Sequence, residues 1–173
     1  MREPERDRGP LAATRPASLR AEQFPQAAQA TQERWRDFGR PGFGGADRVL
    51  SPEYMGLRLE EVREGYCRMR MVFRPELMHA GGVVHGGALA TVLDSVLVPA
   101  IVSIVELDSD YSTVDLHVQY LAPLVDDDCI AEGWVLRRGR RIVFGQAEAR
   151  AATSGRLVAT SALTYHVAPP RSS

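Results

Sequence analysis

From Gly86 to Val105 the chain runs for twenty residues that are almost wholly apolar, broken by one carboxylate, Asp94, near the middle and by Pro99. A run of that length can span a bilayer. Three observations count against it: a charge at the bilayer centre costs about 2.5 kcal/mol or more, a proline interrupts the run, and everything downstream reads as amphipathic strand. The segment is therefore expected to be a helix buried in protein. At about 100° per residue, Leu89, Val92, Leu93, Val96 and Ala100 share one stripe, while Val98, Ile101 and Val102 make the far side apolar too. Such a helix is buried nearly all round, and its residual apolar flank predicts a subunit interface.

The rest of the chain supplies what surrounds it. Leu57 and Leu59 alternate before a turn at Glu64-Gly65, and Cys67, Met69, Met71 and Phe73 then share one face with Arg68 and Arg70 on the other, which predicts a hairpin. Four more strands read over Thr113 to Leu121, Cys129 to Arg137, Arg141 to Ala151 and Arg156 to Val167, with turn residues at Ala122-Pro123, Arg138-Gly139 and Ser154-Gly155. Short connections suit antiparallel neighbours. One apolar helix and several one-sided strands are both satisfied by an α+β architecture, a curved antiparallel sheet wrapped around a single central helix.

Upstream, residues 1 to about 20 are rich in Arg, Pro, Glu and Ala, a composition expected to stay disordered. Pro25 to Phe38 predicts a short amphipathic helix, with Ala28, Thr31, Trp35 and Phe38 on one face and Gly39 as its stop. Trp35 and Phe38 are expected to pack this helix either on the sheet or over a ligand pocket. The stretch GRPGFGGA reads as a linker, so residues 1–45 form an N-terminal extension, 46–168 the main domain and 169–173 a tail.

Composition narrows the function classes. A formal net charge of −1, with every basic residue an arginine, gives no global field to recruit nucleic acid or an anionic membrane. Cys67 and Cys129 lack metal-site spacing, and Asp126-Asp127-Asp128 lacks the ligand spacing of a calcium loop, so no metal is expected. The terminus MREPERDRGP has no apolar core, which predicts no secretory signal and a cytoplasmic setting. His117 and His166 alternate with apolar residues and read as outer-face strand positions.

Asp94 is the only charged residue between His85 and Glu106. A carboxylate in a desolvated helix without an ion partner is costly, which favours a chemical role. Gly87 lies seven residues earlier, nearly two turns, so the carboxylate looks back toward the helix start along Gly87, Ala90 and Thr91 from about 10 Å away. There the N–H groups of Gly86, Gly87 and Ala88 lack intrahelical acceptors and carry the positive end of the helix dipole. This turn is a credible oxyanion site for attack on a thioester or ester. The alternative is that the glycines only permit close packing of helix on sheet.

The string HAGGVVHGGALATVLDSVLVPAI resembles the signature of the phenylacetate-pathway type of hotdog thioesterase, with His85-Gly86-Gly87 opening the central helix and Asp94 nine positions after the histidine. Thr113-Val114-Asp115-Leu116, with Tyr120 and Pro123, is similar to that family's next strand, and Arg137 to Arg141 to its late hairpin near coenzyme A. The resemblance spans roughly residues 47 to 168. It implies a hotdog fold and hydrolysis of acyl-CoA, with Asp94 as general base or nucleophile and the Gly86 and Gly87 amides stabilising the oxyanion. His85 and His79 would orient the carbonyl, Thr113 would hold water, and Arg138, Gly139 and Arg140 would meet the CoA moiety. It implies no cofactor, no membrane or nucleic-acid partner, and a homodimer or homotetramer with sites at the subunit interface. One position departs from the family: His79 stands where asparagine is common, and an imidazole donates as an amide does but also titrates. Two other readings remain, a non-enzymatic acyl-CoA sensor on the same fold and a hotdog dehydratase or hydratase.

Overall fold

The computed structural model describes residues 20–43, 48–105 and 109–168. The expectations for residues 1–19, for 44–47 of the linker and for the 169–173 tail lie outside them. Among the described residues six strands form one antiparallel sheet: β1 (Leu57–Arg63), β2 (Tyr66–Met71), β3 (Asp110–Tyr120), β4 (Cys129–Arg138), β5 (Ile142–Ala151) and β6 (Leu157–Ala168), in spatial order β1-β2-β4-β5-β6-β3. Three helices accompany it, α1 (Gln29–Trp35), α2 (Ser51–Tyr54) and α3 (Gly86–Val102). This is the hotdog architecture expected from the sequence. None of these helices is long and apolar enough to cross a membrane.

The sheet accepts the helix because its floor is made of small residues. Register stacks Ala131 and Gly133 of β4 beside Ala149 and Ala147 of β5, and Ala149 and Ala147 in turn beside Ala159 and Ser161 of β6. A Cβ on Gly133 would lie 2.9 Å from Val96 Cγ1, and one on Gly145 would lie 2.4 Å from Leu97 Cδ2. Val92, Leu93, Val96, Leu97, Ala100 and Ile101 are completely buried in return. Pro99 sits inside the helix without ending it. Burial is not complete all round, however. Gly87 is exposed and Ala90, Thr91, Asp94, Ser95 and Val98 are half-buried, a small and polar stripe along one side of α3.

The N-terminal segment is part of this packing. The expected helix from Pro25 shrinks to Gln29–Trp35, because Gln26 bridges to Arg63 and Pro25 O accepts from Glu64 N–H at 3.0 Å, which holds this stretch extended against β1. Phe24 stacks on the fully buried Tyr66 ring at 5.3 Å, and the Arg20 guanidinium sits 3.6 Å over Trp134, both on the sheet face turned away from α3. Arg68, on the face opposite Cys67 and Met69 as the alternation predicts, is buried there with Glu60 at 2.9 Å and Glu132 at 3.6 Å. Trp35 and Phe38 pack with each other at 5.5 Å and join the core beside α3 and β1.

Candidate active site

The helix start is built by an N-cap. His85 has extended backbone, and its Nδ1 accepts the Gly87 N–H at 2.9 Å, while its carbonyl accepts the Ala88 N–H at 2.9 Å. Of the three amides expected to be open, two are therefore taken by the capping residue itself, as N-caps do. The Gly86 N–H has no partner among the described residues. A Cβ at position 86 would lie 3.1 Å from the Tyr120 ring, whose hydroxyl donates to Gly86 O at 2.9 Å.

His79 comes close to this turn. Its Nδ1 accepts the Gly81 N–H at 2.9 Å, and its ring lies 6.3 Å from that of His85, edge to face. Both imidazoles accept through Nδ1, so each neutral ring carries its proton on Nε2 and presents that atom as a donor. His79, Gly86 and Tyr120 border a cavity of about 370 Å³, whose other walls include Leu89, Leu121 and Leu124.

Asp94 lies two turns further along α3 and is half-buried, not the fully desolvated carboxylate that the helix pattern suggests. Its Oδ1 accepts the Thr113 hydroxyl at 2.9 Å and the Tyr165 hydroxyl at 2.5 Å, and the same tyrosine oxygen lies 2.9 Å from the Asp94 carbonyl. Register explains the convergence. Thr113 of β3 pairs directly with Tyr165 of β6, so both side chains point the same way, toward α3. A register shift then follows between Thr113 and Asp115, and such an extra residue re-aims a strand where a site needs it. Burial, with the Asp94 charge next, pushes the Tyr165 phenol well above its ordinary range, so it is a donor at any physiological pH.

The sequence pointed to Thr113 and Asp94, and the structure brings them together. Tyr165 was not anticipated; nothing but an aromatic polar tip on an inward strand position signals it. Arg138, Gly139 and Arg140 do not join either group. They form the β4–β5 hairpin, where Gly139 N–H donates to Ile142 O at 2.7 Å and Arg138 bonds the Ile104 carbonyl just past the C-terminal end of α3. Arg138, Arg140 and Arg141 line a cavity of about 320 Å³ there. His117 is exposed on the outer face, and His166 is half-buried on it. Among the described residues no three His, Cys, Asp or Glu side chains cluster as metal ligands.

Residues 81–158, which include the N-cap, Asp94 and Thr113, match the model of the thioesterase superfamily. Acyl-coenzyme A thioesterase 13 of Mus musculus is 28% identical over 130 residues, covering 73% of this chain and 86% of that one. A relative from Saccharolobus solfataricus is 27% identical over 90 residues, and the match spans only 59% of its length and 52% of this chain. Among solved structures, a thioesterase family protein from Silicibacter pomeroyi superposes with a TM-score of 0.69 at 26% identity, covering 79% of this chain and 97% of that one. A conserved protein from Pseudomonas aeruginosa does so with 0.66 at 27%, covering 70% and 95%. The chain thus has a hotdog fold, and the segment that matches the thioesterase superfamily holds Asp94, the one carboxylate of α3.

Proposed function

We propose that this protein hydrolyses acyl-CoA thioesters, with Asp94 as general base. The observation that carries the reading is Asp94 itself, the sole charge on α3, aimed by the Thr113 hydroxyl within the segment that matches the thioesterase superfamily. Water bound at the carboxylate gives a proton to Asp94 as its oxygen attacks the thioester carbon. The negative charge that develops on the carbonyl oxygen is taken by the open Gly86 N–H, with the Nε2–H groups of His85 and His79 as further donors; the Gly87 amide contributes by holding His85. Collapse breaks the carbon–sulfur bond, and the CoA thiolate leaves with the proton from Asp94. Acid and free thiol are the products.

Within one subunit, Gly86 and Asp94 are eight residues apart, about 12 Å along a helix. One water and one carbonyl cannot bridge that span. A complete site therefore takes the helix start of one copy and the carboxylate of another, which supports a homodimer or homotetramer with sites at the interface. The polar stripe of α3 and the edge strand β3, whose Val114 is 62% exposed, are available to form it. We assign the Arg138-Gly139-Arg140 hairpin to CoA phosphates, residues 46–168 to the catalytic domain and 1–45 to the N-terminal extension, and the protein to the cytoplasm, which suits its two free, buried thiols.

Thiol release from acyl-CoA tests the assignment. Asp94→Asn should lose about a thousandfold or more in kcat while still binding substrate. Full turnover by that variant would sink the assignment.

A further inference from the structure

We infer that Tyr165 is a positioning residue for Asp94: together with Thr113 it saturates Oδ1, so that Oδ2 alone is left to take the proton of water. The inference rests on the reading of Asp94 as general base. Its foundation is stereochemical. A carboxylate oxygen has two lone-pair directions, and the two hydroxyls at 2.9 Å and 2.5 Å occupy both on Oδ1. Because Thr113 and Tyr165 are cross-strand partners, the β3–β6 register fixes the two donors relative to each other before the helix is added. Tyr165 is also completely buried, with its hydroxyl against the carbonyl and carboxylate of one residue, so it has no freedom to swing away. The carboxylate is left with one rotational setting and one open oxygen.

Removing a donor to the charged form should raise the pKa of that form. Among the described residues no other charge competes for this role. The strands β1, β2, β4 and β5 turn Leu57, Cys67, Met69, Met71, Cys129, Ala131 and Val143 toward α3, and of these only the thiols of Cys67 and Cys129 titrate, both pushed upward by burial and so neutral. From α1 come Trp35 and Phe38. On β3 the neighbour besides Thr113 is Tyr111, which also acts on the Tyr165 phenol. The pH at which the reaction switches on should therefore report the Tyr165 hydroxyl directly.

The structural competitor is that Tyr165 only ties β6 to α3 through the Asp94 carbonyl. Tyr165→Phe separates the two, read by kcat and KM against pH, by thermal melting, and by carbon-13 NMR titration of the Asp94 carboxyl. Expected are a kcat lower by roughly ten- to a hundredfold with KM little changed, and an acid limb and NMR titration that both move up. A second variant carries 3-fluorotyrosine at position 165, which keeps the packing and strengthens the donor; its acid limb should move down instead. A lower melting temperature with an unmoved titration in both variants overturns the inference and leaves the general-base reading standing. Retained turnover by Asp94→Asn brings down that reading, while the NMR titration still decides whether Tyr165 holds the carboxylate.

Discussion

At Asp94 two hydroxyls from facing positions of one strand pair reach a single carboxylate oxygen. Thr113→Val removes one of them and should lower kcat by about tenfold, measured by thiol release, because a hydrogen bond to a charged group is worth roughly 1.5–3 kcal/mol and part of it is regained from water. The buried thiols give a second prediction. Burial pushes Cys67 well above the ordinary value of 9.0 and Cys129 up to about 12. A raised folded value means that the native state keeps a proton which the unfolded chain gives up. The stability each thiol contributes is thus intact below pH 9 and is lost as pH rises from there toward the folded value, by about 1.4 kcal/mol per pH unit per thiol. Urea unfolding between pH 8 and 10.5 should show that slope, and Cys129→Ala should reduce it; a slope unchanged by the substitution would contradict the account. Much of this was legible in the residues. Asp94 stands out because no other charge shares its apolar run, and Thr113 by its place in a strand motif. Tyr165 is invisible until register sets it opposite Thr113, and the loss of the Gly87 amide depends on the side-chain conformation of His85, which spacing does not encode.

The central helix and its sheet fit because small residues let the helix approach, and this too is testable. Gly145→Val would press against Leu97, whose Cδ2 lies 2.4 Å from the first added carbon, and should cost roughly 1–3 kcal/mol in urea unfolding. Helix α3 and the six strand segments announced themselves through apolar periodicity, which burial on one face enforces. The N-terminal helix was read too long, because its propensity from Pro25 onward is overridden by pairing with β1, a long-range contact that no local pattern contains. Gly39 shows how closely this segment sits. Its φ is +72°, and a Cβ there would fall 1.9 Å from Leu57 O, so Gly39→Ala should destabilise the protein by about 2 kcal/mol.

Across the whole molecule the two sheet edges differ. The N-terminal segment covers β1 through Gln26 and the carbonyls of Phe24, Pro25 and Gly39, whereas among the described residues no strand lies beyond β3. An uncovered edge invites another chain, and the proposed mechanism, with Gly86 and Asp94 about 12 Å apart along one helix, calls for one. Subunit mixing examines this. Gly86→Val and Asp94→Asn, each inactive alone, should together regain about a quarter of wild-type activity, since half the mixed dimers are hybrids with one intact site of two. No recovery despite exchange would place each site within one subunit. The most direct measurement is thiol release across a panel of acyl-CoA substrates with wild type and Asp94→Asn side by side. The account predicts turnover of at least one acyl-CoA by the wild type and its loss by about a thousandfold in the variant; equal rates for the two proteins would contradict it.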